Sequence, residues 1–182
     1  MKAVVVSRAG GPEVLEVLER ELPSIKPGWS LVKVMGFGIN HSEIFTRQGL
    51  SPSVTFPRVL GIEMVGLIEE TSDPSRLPVG QKVVSIMGEM GRAYDGGYAE
   101  YALLPNDNLY TITSDLNWRD LASVPETYYT AYGSMKNLQL EPKDRILVRA
   151  GSSGVGQAFA KLVRARFPEV RLVASVRRLD KE

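Results

Sequence analysis

Ala150-Gly151-Ser152-Ser153-Gly154-Val155-Gly156 separates two stretches with different periods. Arg145-Ile146-Leu147-Val148-Arg149-Ala150, before it, is a compact apolar run of buried-strand type. After it, Val155, Phe159, Leu162, Val163 and Arg166 recur at the i, i+4, i+7, i+8, i+11 spacing of one helix face, with Arg166 extending the stripe by a snorkelling chain. The spacing predicts a helix over 154–167, ended by Pro168. Arg171-Leu172-Val173-Ala174-Ser175-Val176 then reads as a second strand. Strand, glycine turn, helix and strand make one β-α-β unit with a right-handed crossover. Glycines at such a bend allow a tight turn, close backbone approach to a pyrophosphate and close helix-to-strand packing, with the phosphates on the helix N-terminus. Gly151, Ser152, Ser153, Gly154, Val155 and Gly156 are therefore candidate dinucleotide-binding residues, the serines adding hydroxyl donors. The alternative is a glycine-rich connection that binds nothing.

The end of the second strand selects between cofactors. An NAD site places Asp or Glu there to accept from the ribose 2′-hydroxyl. This chain has Ser175, Arg177 and Arg178, with Lys181 close behind. A serine and several cations suit a 2′-phosphate through charge-assisted hydrogen bonds, which favours NADPH. The competing reading is a solvated basic strand end. A parallel pair with one helix leaves apolar surface uncovered, so the natural polypeptide is expected to be longer, or this chain to be a fragment.

Upstream the period changes. Residues 2–7 form a β-branched run, and Gly10-Gly11-Pro12 is a strong turn signal before Val14, Leu15, Val17 and Leu18. Leu31-Val32-Lys33-Val34 alternates, and further strands are expected at 63–69, 81–87 and 96–104. Short strands at this spacing point to a β-barrel or sandwich. A short helix is expected at 42–48, closed by Gly49. Asn117 is placed to cap a helix over 118–124, with Pro125 as its stop, and 126–138 carries apolar residues at helical spacing.

Composition removes several function classes. A net charge of +1 gives no bulk attraction to nucleic acid or to an anionic membrane. No stretch approaches the ~20 apolar residues of a membrane span, and the N-terminal apolar run is too short for a signal peptide, so a cytoplasmic location is expected. The chain has no cysteine and a single histidine, His41, which excludes thiol nucleophiles and makes a zinc site improbable, so no metal is expected.

Gly36-Phe37-Gly38-Ile39-Asn40-His41-Ser42-Glu43-Ile44-Phe45, Leu60-Gly61-Ile62-Glu63, the opening MKAVVV…GGPEVLEV, GGYAEYALLP and TAYGSMKNL together make a specific pattern. Over essentially its whole length the chain resembles a medium-chain dehydrogenase/reductase of the quinone oxidoreductase type. The resemblance implies an α/β plus β chain. A GroES-like β-barrel substrate domain (1–120) would be followed by the first β-α-β unit of a Rossmann-like NAD(P)-binding domain (121–182), with the active site in the cleft between the domains. Relatives would carry roughly 140 further residues. Zinc-dependent members have a ligand cysteine where this chain has Asn40 and a ligand histidine where it has Ile62. They also have a four-cysteine lobe that residues 86–101 lack. The zinc-free branch is therefore implied. Ser153 departs from the glycine common at its position.

The same resemblance implies hydride transfer from NADPH to a quinone or an α,β-unsaturated carbonyl, in a protein that forms a homodimer. It places Asn40 near the nicotinamide as a hydrogen-bond donor to the substrate carbonyl, Phe45 as an aromatic pocket wall and Thr130 beside the nicotinamide. Each has a structural alternative: a helix N-cap for Asn40, core packing for Phe45 and a bond back to its own helical turn for Thr130. His41 reads as a partly exposed helix-start residue and Glu63 as a structural acceptor. The alternative for the whole chain is a catalytically silent fragment or a non-enzymatic family member.

Overall fold

The computed structural model describes residues 1–177; Arg178 and Lys181 lie outside the described residues. The described chain divides into two compact units, Met1–Pro125 and Glu126–Glu182.

In the first unit, β1 (Lys2–Val6) pairs antiparallel with β2 (Leu15–Glu19) on one side and with β4 (Arg58–Val59) on the other. A second antiparallel sheet has the order β7-β3-β5-β6-β8, formed by β3 (Trp29–Gly36), β5 (Glu63–Thr71), β6 (Lys82–Ile86), β7 (Tyr101–Pro105) and β8 (Tyr110–Thr111). Ala3 bridges Ala99, Val4 N–H donates to the Tyr98 carbonyl at 2.8 Å, and Glu100 N–H donates to the Lys2 carbonyl at 3.0 Å. These bonds run β1 into the chain leading to β7 and stitch the two sheets together. Alternation along the strands turns Val32, Met64, Ile68, Val83 and Leu104 into one core. Val5, Val6, Val14, Val59, Leu60 and Tyr98 fill a second core between β1 and the 98–100 segment.

Several boundaries differ from the sequence reading. Val14 belongs to a single 3₁₀ turn, Pro12–Val14, and is buried there. β7 begins at Tyr101, because Gly96, Gly97 and Tyr98 bond singly to Val59, Gly61 and Leu60 carbonyls instead of forming a ladder. β4 and β8 are two residues each, too short to show a period. Helix α1 (His41–Arg47) follows Asn40 as its N-cap, and Gly49 ends it at φ +77. Helix α2 (Trp118–Ala122) is capped by Asn117, whose Oδ1 accepts from Asp120 N–H at 2.9 Å. Pro125 does not simply stop that helix. It opens α3 (Pro125–Asn137), at the position where a missing N–H costs nothing.

In the second unit, β9 (Arg145–Arg149) and β10 (Arg171–Ser175) pair in parallel, with Arg145 opposite Arg171 and Arg149 opposite Ser175. Helix α4 (Gly154–Arg166) connects them and packs Ala158, Phe159 and Val163 against Ala131 and Met135 of α3 and against Val170. Along the stripe Phe159 and Val163 are buried, with Gly156 and Ala158 beside them, whereas Val155, in the first turn of the helix, is left 39% exposed. The Arg166 guanidinium lies over the Tyr132 ring at 5.6 Å.

Candidate functional site

The glycine turn of the second unit is built by three local constraints. Ala150 adopts φ +55 to leave β9. Gly151 N–H donates to the Ser175 carbonyl at 3.0 Å, tying the turn to the end of β10. A Cβ on Gly151 would meet the Ala174 Cβ at 2.4 Å, and one on Gly156 would meet the Ala150 carbonyl oxygen at 2.6 Å. Both glycines are therefore required by the protein's own packing. Gly154 is different: a Cβ there would find only Thr127, at 3.7 Å.

Ser153 caps α4. Its Oγ accepts from Gly156 N–H at 3.1 Å, and its carbonyl takes Gln157 N–H at 2.9 Å. Gly154 and Val155 hold the first two helical positions, whose N–H groups have no intrahelical acceptor. Two amides at the positive end of a helix, with space at Gly154 and an exposed Ser152, make a cradle whose chemistry fits a pyrophosphate. Ser175 and Arg177 are exposed beside it, at the strand end the turn is bonded to. Thr130, on α3, is exposed and donates to Glu126 Oε1 at 3.0 Å, a bond within its own helical turn.

The first unit gathers a different cluster around Asn40. Asn40 N–H donates to Glu43 Oε2 at 2.7 Å, and the two residues form a capping box at the start of α1. Asn40 Nδ2 donates to Glu63 Oε1 at 2.8 Å. Glu43 reaches further: its Oε1 accepts from Ile62 N–H at 2.8 Å, and its Oε2 also accepts from the Tyr98 hydroxyl. Both carboxylates are buried, at 4% and 3% exposure, so these donors compensate charge that water no longer solvates. Gly61, at φ +110, makes the bend that delivers Ile62 N–H and Glu63 to the cluster. A Cβ there would lie 2.6 Å from Gly97 N.

A cavity of about 320 Å³ opens beside this cluster. Phe37, Ile39, Ile44 and Leu60 make its wall apolar, and Asn40, Glu43, Arg47 and Tyr98 border it while showing it little polar surface. Phe45 does not line it; the ring is 48% exposed on α1, edge-on to His41 with centroids 5.4 Å apart. Among the described residues, no group of three or more His, Cys, Asp and Glu side chains is placed to hold a metal ion. No described helix is long and apolar enough to cross a membrane.

Glu43 and Tyr98 carry no functional role in the sequence reading. Glu43 has a signal, since Asn40-x-x-Glu43 is the spacing of a capping box. Tyr98 has none, lying 55 residues from its partner. Burial first, then its hydrogen bond to Glu43, then the negative charges of Glu43 and Glu63 push the Tyr98 hydroxyl pKa far up. A folded pKa above the unfolded one gives stability that is complete below about pH 10 and is lost as pH rises toward the folded value. In an alkaline phenolate titration, Tyr98 is expected to ionise only together with unfolding of its unit. A Tyr98→Phe protein whose missing phenolate signal lies at an ordinary tyrosine pKa would contradict this.

The comparisons with known proteins concern the family and the fold. The model of the alcohol dehydrogenase GroES-like domain matches residues 26–114. Human quinone oxidoreductase is 32% identical over 169 residues, covering 91% of this chain and 50% of that protein. The quinone oxidoreductase of Pseudomonas syringae superposes with a TM-score of 0.87 at 28% identity, over 99% of this chain and 54% of that one. That of Thermus thermophilus, solved also in complex with NADPH, gives 0.81 at 27% identity, over 100% and 55%. The chain spans about half the length of the curated relatives it matches.

Proposed function

Because this chain belongs to the medium-chain dehydrogenase/reductase superfamily and carries its alcohol dehydrogenase GroES-like domain, we propose that the protein is a zinc-independent, NADPH-dependent reductase of quinones or α,β-unsaturated carbonyls. The observation that carries the reading is the cradle at the start of α4, where the Gly154 and Val155 amides, without intrahelical acceptors, lie between two glycines that the packing requires. In this reading residues 1–120 form the substrate domain and 121–182 open the cofactor domain. Gly151, Ser152, Ser153, Gly154, Val155 and Gly156 hold the pyrophosphate. Ser175 and Arg177, with Arg178 and Lys181 beyond them, hold the 2′-phosphate. NADPH, when bound, supplies the hydride.

The chain's own groups do the rest. Asn40 donates an N–H to the acceptor oxygen on which negative charge builds, and that charge is then neutralised by a proton from solvent. Phe37, Ile39 and Leu60 offer an apolar wall to a planar ring, Phe45 flanks the approach, and Thr130 stands beside the nicotinamide. The protein works in the cytoplasm as a homodimer. The outer edges of β9 and β10, unpaired among the described residues, favour association.

Asn40→Ala is expected to lower kcat/KM for naphthoquinone about 10²-fold, the usual scale for losing one donor to a developing oxyanion. Its affinity for NADPH should stay within about twofold of wild type, because the cradle is untouched. Wild-type turnover by Asn40→Ala, or acceptor-independent NADPH oxidation only, would sink the reading.

A further inference from the structure

We propose that Glu63 is a positioning residue, and that its carboxylate fixes which end of the Asn40 carboxamide is offered to the acceptor. A carboxamide has two N–H donors and one carbonyl oxygen, and it can turn end for end with little change of shape. Glu63 Oε1 accepts from Asn40 Nδ2 at 2.8 Å, and that bond holds the Nδ2 end. The capping box turns the carbonyl end toward the start of α1, where Glu43 N–H lies. One Nδ2 hydrogen is then left over, beside a cavity that Asn40 helps to line. An acceptor carbonyl therefore meets a donor; the reversed amide would present a second oxygen and repel it.

The rigidity comes from Glu43. It joins Asn40 N–H and Ile62 N–H through one side chain, so Glu63 cannot drift from Asn40 without breaking a buried bond. Asn40 and Glu63 are 23 residues apart and meet only because both flank this staple.

The inference rests on the reading of Asn40 as the acceptor-facing donor, and its test separates the two. The first readout is the pair of Asn40 Nδ2 proton resonances in ¹⁵N-asparagine-labelled protein, assigned by their loss in Asn40→Asp. In wild type the two protons are expected to be well separated, one bonded to a carboxylate and the other not. Glu63→Met, close in shape but without an acceptor, should collapse the separation. Glu63→Gln, which keeps one acceptor oxygen but also allows the reversed amide, should give an intermediate separation and covers the case in which the methionine variant does not fold.

The second readout is kcat for naphthoquinone. It should fall roughly tenfold in Glu63→Met, less than the roughly 10²-fold for losing the donor outright, and should partly recover in Glu63→Gln. The Kd for NADPH should hold within about twofold in both variants. Unmoved Asn40 protons overturn the inference whatever happens to turnover. Protons that move while kcat does not overturn it as well. Wild-type rates in Asn40→Ala instead strike the proposed function, and the resonances still decide whether Glu63 sets the carboxamide.

Discussion

Glu43→Ala is expected to bring the Met1–Pro125 unit to the edge of unfolding at room temperature. Asn40 N–H, Ile62 N–H and the Tyr98 hydroxyl all donate to this one buried carboxylate. Removing it leaves three donors without acceptors, each costing about 1–3 kcal/mol, and adds a void the size of the lost side chain. A loss of about 5 kcal/mol compares with the roughly 5–15 kcal/mol that holds a typical domain. Glu43→Gln, which keeps one acceptor oxygen, should lose about 2 kcal/mol. Trp29 and Trp118 both lie in this unit, so tryptophan fluorescence during urea unfolding reads the unit directly. A Glu43→Ala protein within about 1 kcal/mol of wild type would mean the three donors find other partners at no cost.

The second large effect is a contrast between two neighbouring glycines. Gly156→Ala drives a methyl group onto the Ala150 carbonyl oxygen and to within 3.0 Å of Gly151 Cα, both of them backbone. The turn must open, which should destabilise the second unit by about 2–3 kcal/mol and weaken NADPH binding by more than about tenfold. Gly154→Ala meets nothing nearer than 3.7 Å. It should leave stability unchanged or raise it by up to about 0.5 kcal/mol, since alanine suits a helical position better than glycine. Its affinity for NADPH should still fall, because a side chain at this position narrows the close backbone approach that a pyrophosphate needs. Hydrogen exchange of α4 amides and nicotinamide fluorescence measure the two quantities. Undiminished affinity in Gly154→Ala would remove the pyrophosphate from this cradle.

The elements that were legible in sequence are those whose cause is local. Asn117 caps α2 and Gly49 closes α1, because capping and left-handed termination depend on residues within one turn. The β-α-β unit announced itself through a change of period at a glycine turn. Pro125 was misleading because the same missing N–H that bars a helix interior is harmless at a helix start, and only the neighbouring packing decides between them. β4 and β8 were invisible: two residues cannot carry a period, and each exists only because β1 or β6 offers a free edge.

The candidate site divides along the same line. The sequence alone determined the cradle of the second unit, since strand, glycines, Ser153 cap and helix follow one another within a dozen residues, and each is placed by its neighbours. It determined Asn40 as a polar residue at the mouth of a short helix. Glu43 meets Asn40 through the local capping box, but tertiary structure alone decided the rest of its surroundings. Glu63 comes from 23 residues away and Tyr98 from 55 residues beyond Glu43, and the Gly61 bend turns Ile62 N–H inward. Buried carboxylates need donors wherever the fold can bring them. No local pattern records that need, because it arises only once the barrel has closed and excluded the water.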